Sequence, residues 1–155
     1  MHTLTFRQAG QADAQAITAL VNEAYTPYIA RIGKPPAPML EDYGQVIAQS
    51  EVYVALQQAQ VVGVLVMGRA DGDMLLVNVA VLPSCKGQGI GKALLQLCER
   101  HARQAGCEAI RLYTHERMTE NLAIYRKQGF EETHRAHEHG FARVFMRKVL
   151  TAAGE

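Results

Sequence analysis

The apolar positions change period along the chain, and each change marks an element. Residues 3–8, TLTFRQ, alternate and predict a first strand, after which Asp13 precedes a helical pattern of Ile17, Leu20, Val21, Ala24, Tyr25, Tyr28, Ile29 and Ile32. Pro27 falls inside that pattern. Because proline removes a backbone donor and clashes one turn back, the helix is expected to kink or restart near Thr26. Residues 31–43, RIGKPPAPMLEDY, read as a shaped surface loop leading into a short helix that ends before Ser50. From Val52 the period shortens. VYVALQ and VVGVLVMGRA, separated by the polar QAQ, predict an antiparallel hairpin, and DGD at 71–73 predicts the next turn. MLLVNVAVL then reads as a central strand buried on both faces.

The most regular stretch follows: Ile90, Ala93, Leu94, Leu97, Cys98, Ala102 and Ala105 recur at helical spacing, with Gly106 as the C-terminal stop. EAIRLYT predicts a strand, residues 119–128 a short helix closed by Gly129, and FEETHRA and FARVFMRKVL two strands joined through HEHG. The order is strand, helix, helix, three strands, helix, strand, helix, two strands, which makes a mixed α/β sheet with helices packed on it. The crossover from MLLVNVAVL through the long helix to AIRLYT should make those two strands parallel and the connection right-handed.

Composition narrows the class. A chain of 155 residues, 48% of them apolar, fits a single domain over residues 1–155, with no repeat or linker. The net charge of +1, with acids and bases interspersed, leaves no basic stripe for nucleic acid. No stretch approaches about 18 uninterrupted apolar residues, and the first residues lack a signal-peptide layout, so a soluble, cytoplasmic protein with no membrane partner is expected. Cys85, Cys98 and Cys107 match no zinc or redox spacing; Cys98 and Cys107 read as packing residues and Cys85 as a loop thiol. His134, His137 and His139 fit no zinc pattern either, so they read as an exposed hairpin and no metal is expected.

Chemistry concentrates at residues 79–102, VAVLPSCKGQGIGKALLQLCERHA. Gly87, Gly89 and Gly91 lie between the apolar strand and the first turn of the long helix, the arrangement by which backbone N–H groups cradle phosphate. A nucleotide-hydrolase P-loop would need glycine at 86 and Ser or Thr at 93, where Lys86 and Ala93 stand. A dinucleotide fingerprint would need glycine at 92, where Lys92 stands. Glycines before a helix can also make only a turn.

The remaining spacing, Lys86, Gly87, Gln88, Gly89, Ile90, Gly91 after AVLP, resembles the acetyl-CoA loop of the GNAT superfamily of N-acetyltransferases, whose pattern is Q/R-x-x-G-x-G/A. Lys86 departs from it by keeping the charge without the fork geometry of arginine. TENLAIYRKQGF, residues 119–130, is similar to that family's later motif, in which an Asn and a Tyr on a short helix face the thioester arm; here Asn121 and Tyr125 share one helical face.

The resemblance implies a GNAT fold: a mostly antiparallel sheet of six to seven strands, a parallel pair flanking the acetyl-CoA site, and about four helices. It implies an enzyme moving acetyl from acetyl-CoA to a small or peptide amine by direct attack in a ternary complex, as a monomer or homodimer. Its rival is a non-catalytic acyl-CoA-binding module of the same fold. The coenzyme would contact Lys86, Gly87, Gln88, Gly89, Ile90, Gly91 and Lys92, then Asn121 and Tyr125, with a strand bulge near Val79, Ala80 and Val81 turning an N–H to the thioester. Tyr125 would be the acid for the departing thiolate.

Many members of the family place a carboxylate base on the central strand where this chain has Asn78, which cannot act as a base. The amide either orients a water or is structural. Glu41, Asp42, His115 and Glu116 are the other base candidates, or else solvated charges. Tyr28, Lys34, Met39 and Tyr43 would line the acceptor wall, unless the prolines there serve only to stiffen the connection.

Overall fold

The computed structural model describes residues 3–150. In chain order the elements are β1 (Thr5–Gln8), α1 (Ala14–Ile32), α2 (Tyr43–Gln49), β2 (Glu51–Gln57), β3 (Gln60–Ala70), β4 (Asp73–Val81), α3 (Ile90–Gln104), β5 (Ala109–His115), α4 (Thr119–Lys127), β6 (Glu131–Glu138) and β7 (Phe141–Val149). Short 3-10 turns at Gln11–Asp13, Ala37–Leu40 and Pro83–Cys85 fill the connections. The strands form one sheet in the order β1-β2-β3-β4-β5-β7-β6. Its pairings are antiparallel except β4 with β5, which is parallel.

Each face of the sheet buries a separate apolar cluster. On one face α3 sets Ile90, Leu94, Leu97 and Cys98 against Leu65, Met67, Met74 and Leu76, with Leu122 and Tyr125 of α4 joining the same cluster. On the other, Ile17, Leu20, Val21 and Tyr25 of α1 cover Val52, Val54, Val64, Val66 and Ala80. A fully buried side chain such as Leu94 or Ile17 contributes about 1.5–3 kcal/mol by leaving water.

Three expectations need correcting. Helix α1 runs unbroken through Pro27. Pro27 and Glu23 lie on its exposed side, where water can satisfy the carbonyl that proline leaves unpaired, while the buried positions on either side of Pro27 stay in line on the sheet. The last hairpin is tighter than HEHG suggested: β6 continues through His137 and Glu138, and only His139 and Gly140, at φ 53° and 80°, make the turn. Finally, β4 is central but not buried on both faces, since Val77 is 47% exposed.

Candidate active site

The exposure of Val77 has a structural cause. Val66 of β3 pairs with Asn78 and its neighbour Met67 with Leu76, leaving Val77 as the extra residue of a β-bulge. The bulge was expected near Val79–Val81 and lies before them. It resets the alternation of β4: Met74 and Leu76 face the α3 cluster, whereas Asn78 and Ala80 face the α1 side. Bulges bend and twist the strand that carries them. Here β4 pairs with β5 only through Met74–Ile110 and Leu75–Arg111. Beyond that point the strands part around a cavity of about 290 Å³ lined by Leu76–Val79 on one strand and Leu112–His115 on the other.

The cavity gathers several of the residues singled out from sequence. Asn78, Asn121, Tyr125, Tyr43 and Val79 line it, as do the base candidates Glu41 and His115. Asn121 and Tyr125 come from one face of α4, a turn apart. Burial, aided by neighbouring Cys98 and Tyr28, pushes the Tyr125 hydroxyl up to about 12. That is well above the ordinary phenol value near 10.

Asn78, 6% exposed, is held at both ends. Its side-chain oxygen accepts from the Tyr25 hydroxyl at 2.7 Å and its amide donates to the Tyr43 hydroxyl at 3.1 Å. Tyr43 in turn donates to the Pro38 carbonyl at 2.7 Å, tying the proline connection to β4. Burial raises the pKa of both tyrosines, so the chain of hydroxyls stays protonated.

Other candidates fall elsewhere. Tyr28 packs beside Tyr25 beneath the Arg31 guanidinium, and Met39 packs on the α1-side cluster. Lys34 spans from the end of α1 to the β6–β7 turn, donating to the Gly140 carbonyl with its ammonium 4.3 Å from the Phe141 ring. The Asp42 carboxylate accepts from Gly44 and Gln45 N–H as the cap of α2. Glu116 lines a separate surface depression with Arg31, Arg117 and Arg135. His115 Nδ1 accepts the Arg117 N–H at 3.1 Å, and burial lowers its pKa, leaving a neutral ring with its proton on Nε2. At the hairpin, the His134 ring stacks on Phe145 at 4.3 Å.

The glycine loop sits at the carboxyl end of β4. Gly87 and Gly89 take φ of 83° and 80°, conformations that favour glycine, and a Cβ at either would meet nothing within 4 Å. The first α3 hydrogen bond runs from Ala93 N–H to the Gly89 carbonyl, so the N–H groups of Ile90, Gly91 and Lys92 have no helical partner. Lys86, Gln88 and Lys92 are exposed, and the Gln88 side chain accepts from Gln57 at 3.1 Å. This open cradle fits a pyrophosphate.

Sequence reasoning missed Tyr25, Tyr113, Phe141 and Arg143, which also line the cavity. Tyr25 had the signal of an apolar helix position and nothing more, and the other three read as ordinary strand alternation.

These features define an α/β protein with a split parallel pair, a glycine cradle after the first of its strands, and an aromatic cavity in the split. A family described as acetyltransferase (GNAT) domain matches residues 48–132, more than half of the chain. The chain belongs to the GNAT acetyltransferase family. An aminoalkylphosphonate N-acetyltransferase of Salmonella typhimurium is 31% identical over 87 residues, 52% of this chain and 56% of that protein. A mycothiol acetyltransferase of Saccharomonospora viridis is 42% identical over 64 residues, 41% of this chain and 20% of that protein. The chain thus spans from a fifth to little more than half of these curated relatives. The PaiA N-acetyltransferase of Thermoplasma acidophilum, solved in complex with coenzyme A, superposes with a TM-score of 0.81 at 18% identity, covering 96% of this chain and 99% of that one. The ribosomal-protein-S18-alanine N-acetyltransferase of Escherichia coli gives 0.77 at 18% identity, covering 99% and 97%. At such identities the agreement is one of fold. Among the described residues no helix is long and apolar enough to cross a membrane.

Proposed function

We propose that the protein is a cytoplasmic N-acetyltransferase that transfers the acetyl group of acetyl-CoA to a small primary amine by direct attack in a ternary complex. One observation carries the reading: the glycine cradle and the Tyr125 cavity lie along the same strand, the cradle at the end of β4 and the cavity beside its bulge. The three free cysteines agree with a reducing compartment. Lys34, reaching from the end of α1 to the β6–β7 turn beside Phe141, supports an enclosed pocket over an open peptide groove.

The bound thioester supplies the activated acetyl group. N–H groups of Gly87–Lys92 hold the pyrophosphate, and Asn121 and Tyr125 flank the thioester arm. On β4, the strand edge beside Val77 lacks a β5 partner, and its N–H groups polarise the thioester carbonyl. This moves the role expected at Val79–Val81 toward the bulge.

Tyr125 donates to the departing sulfur. With its hydroxyl near 12 against about 8.5 for an ordinary thiol, complete proton transfer is uphill by roughly 5 kcal/mol. Tyr125 therefore stabilises the thiolate through a hydrogen bond, and water completes protonation. Asn78, with its oxygen and amide already bonded to tyrosines, positions Tyr43 and the proline connection. The amine's proton leaves to solvent.

Thiol release from acetyl-CoA across a panel of amines tests the proposal. Acceptor-dependent release is expected; coenzyme binding without turnover on any amine would favour the regulatory-module reading.

A further inference from the structure

We infer that the acceptor amine carries an acidic group, a carboxylate or phosphonate, and that Arg143 is the residue that selects it. The inference rests on the acetyl-transfer reading above and adds the chemical class of acceptor.

Arg143 projects from β7 into the cavity, and its side chain is only 11% exposed. Its guanidinium lies 4.2 Å from the Tyr113 ring and 5.9 Å from that of Phe141, both cavity residues. Among the described residues it makes one side-chain hydrogen bond, from Nη1 to Glu138 at 3.2 Å. The Glu138 side chain is itself 46% exposed, so it neutralises Arg143 from the solvent side of the hairpin.

A guanidinium has five donors in a planar fork that matches two acid oxygens. Holding a cation whose side chain is largely covered is costly unless it is paired. One single-point contact leaves most of the fork for a ligand. The other groups in the cavity do not compete for that role. Burial pushes His115 toward its neutral form, and Lys34, which is not in the lining, is committed to the Gly140 carbonyl. The carboxylate on the proline-connection wall is Glu41. An amine carrying an acid complements this arrangement, with its acid on Arg143 and its ammonium toward Glu41 before deprotonation. A neutral alkylamine would leave the fork unpaired.

Turnover of three matched acceptors, β-alanine, 2-aminoethylphosphonate and propylamine, tests this in the full chain. The wild type should prefer one or both acids over propylamine, and their relative rates distinguish a carboxylate site from a phosphonate site. Arg143→Met keeps an unbranched chain against Tyr113 and removes the fork. It should lower kcat/KM for the preferred acid by about 10- to 100-fold, mainly through KM, and lower that for propylamine far less, so that the preference collapses. Arg143→Lys should restore part of the preference. Propanoate or methylphosphonate should inhibit competitively against the acceptor and not against acetyl-CoA. Equal use of all three amines by the wild type, or an equal loss on all three in a folded Arg143→Met variant, overturns the inference while leaving acetyl transfer standing. Absence of both coenzyme A binding and thiol release removes the acetyl-transfer reading and this inference with it.

Discussion

Gly91 offers a clean test of the coenzyme loop. Gly87 and Gly89 adopt positive φ, so any side chain there adds backbone strain of about 1–3 kcal/mol and confuses binding with folding. Gly91 is in the first turn of α3 with ordinary helical geometry, and a Cβ there would meet only Val81 Cγ2 at 3.8 Å, an ordinary contact. Gly91→Leu should therefore keep the fold, and the better helix propensity of leucine offsets any local crowding by up to about 0.8 kcal/mol. The side chain would, however, stand among the free N–H groups of Ile90, Gly91 and Lys92. Losing one hydrogen bond to a charged phosphate costs about 1.5–3 kcal/mol, which raises the Kd for coenzyme A by about 10- to 150-fold. Calorimetric titration with coenzyme A reads the affinity, and thermal denaturation confirms the fold. Unchanged affinity in a folded Gly91→Leu variant would falsify the placement of the pyrophosphate on this loop.

The catalytic assignments give two further tests. Tyr125→Phe should reduce turnover by about 10²-fold with little effect on coenzyme A affinity, the loss of one hydrogen bond to a developing thiolate; full turnover in this variant would leave water alone as the proton source. If solvent deprotonates the acceptor, the rate at subsaturating amine should rise through pH 8 and 9 toward the amine's own pKa near 10. Tyr125 does not cut that rise short, since its hydroxyl stays protonated until about 12, later than the ordinary phenol value that the sequence alone implied. A plateau near pH 7 that disappears in Glu41→Gln would instead make Glu41 the base.

How much could be read from the chain depends on whether a feature is contiguous. The α3 pattern and the glycine loop are local: seven apolar positions repeat at helical spacing, and Gly87 and Gly89 occupy conformations that favour glycine. Pro27 misled because the rule that proline breaks helices says nothing about which side faces water. The cavity draws its lining from α1, the proline connection, β4, β5, α4 and β7, and no window of sequence contains it. Arg143 is one polar position in FARVFMRKV, with no mark to separate it from Arg147 on the same face.

The bulge at Val77 is the most consequential feature that periodicity missed, and its role can be tested directly. A strict alternation through MLLVNVAVL puts Asn78 on the same face as Met74 and Leu76. In the fold one inserted residue separates them onto opposite faces. Deleting Val77 leaves Leu76 opposite Met67 and Asn78 opposite Val66 as consecutive pairs, so every buried side chain of β4 keeps its face and the sheet should still form. The regular ladder would lack the extra bend, and β4 would run closer to β5 where the cavity now opens. Affinity for coenzyme A should change only a few-fold because the glycine loop is unaltered. Turnover should fall by about 10²- to 10³-fold, the scale of losing one N–H donor to a reacting carbonyl. Heteronuclear NMR would confirm the fold and thiol release the rate. Wild-type turnover in a folded Val77 deletion would show that the bulge neither opens the site nor aims the donor, and the split between β4 and β5 would then have to arise from the packing of Tyr25 and Tyr43 on Asn78 instead.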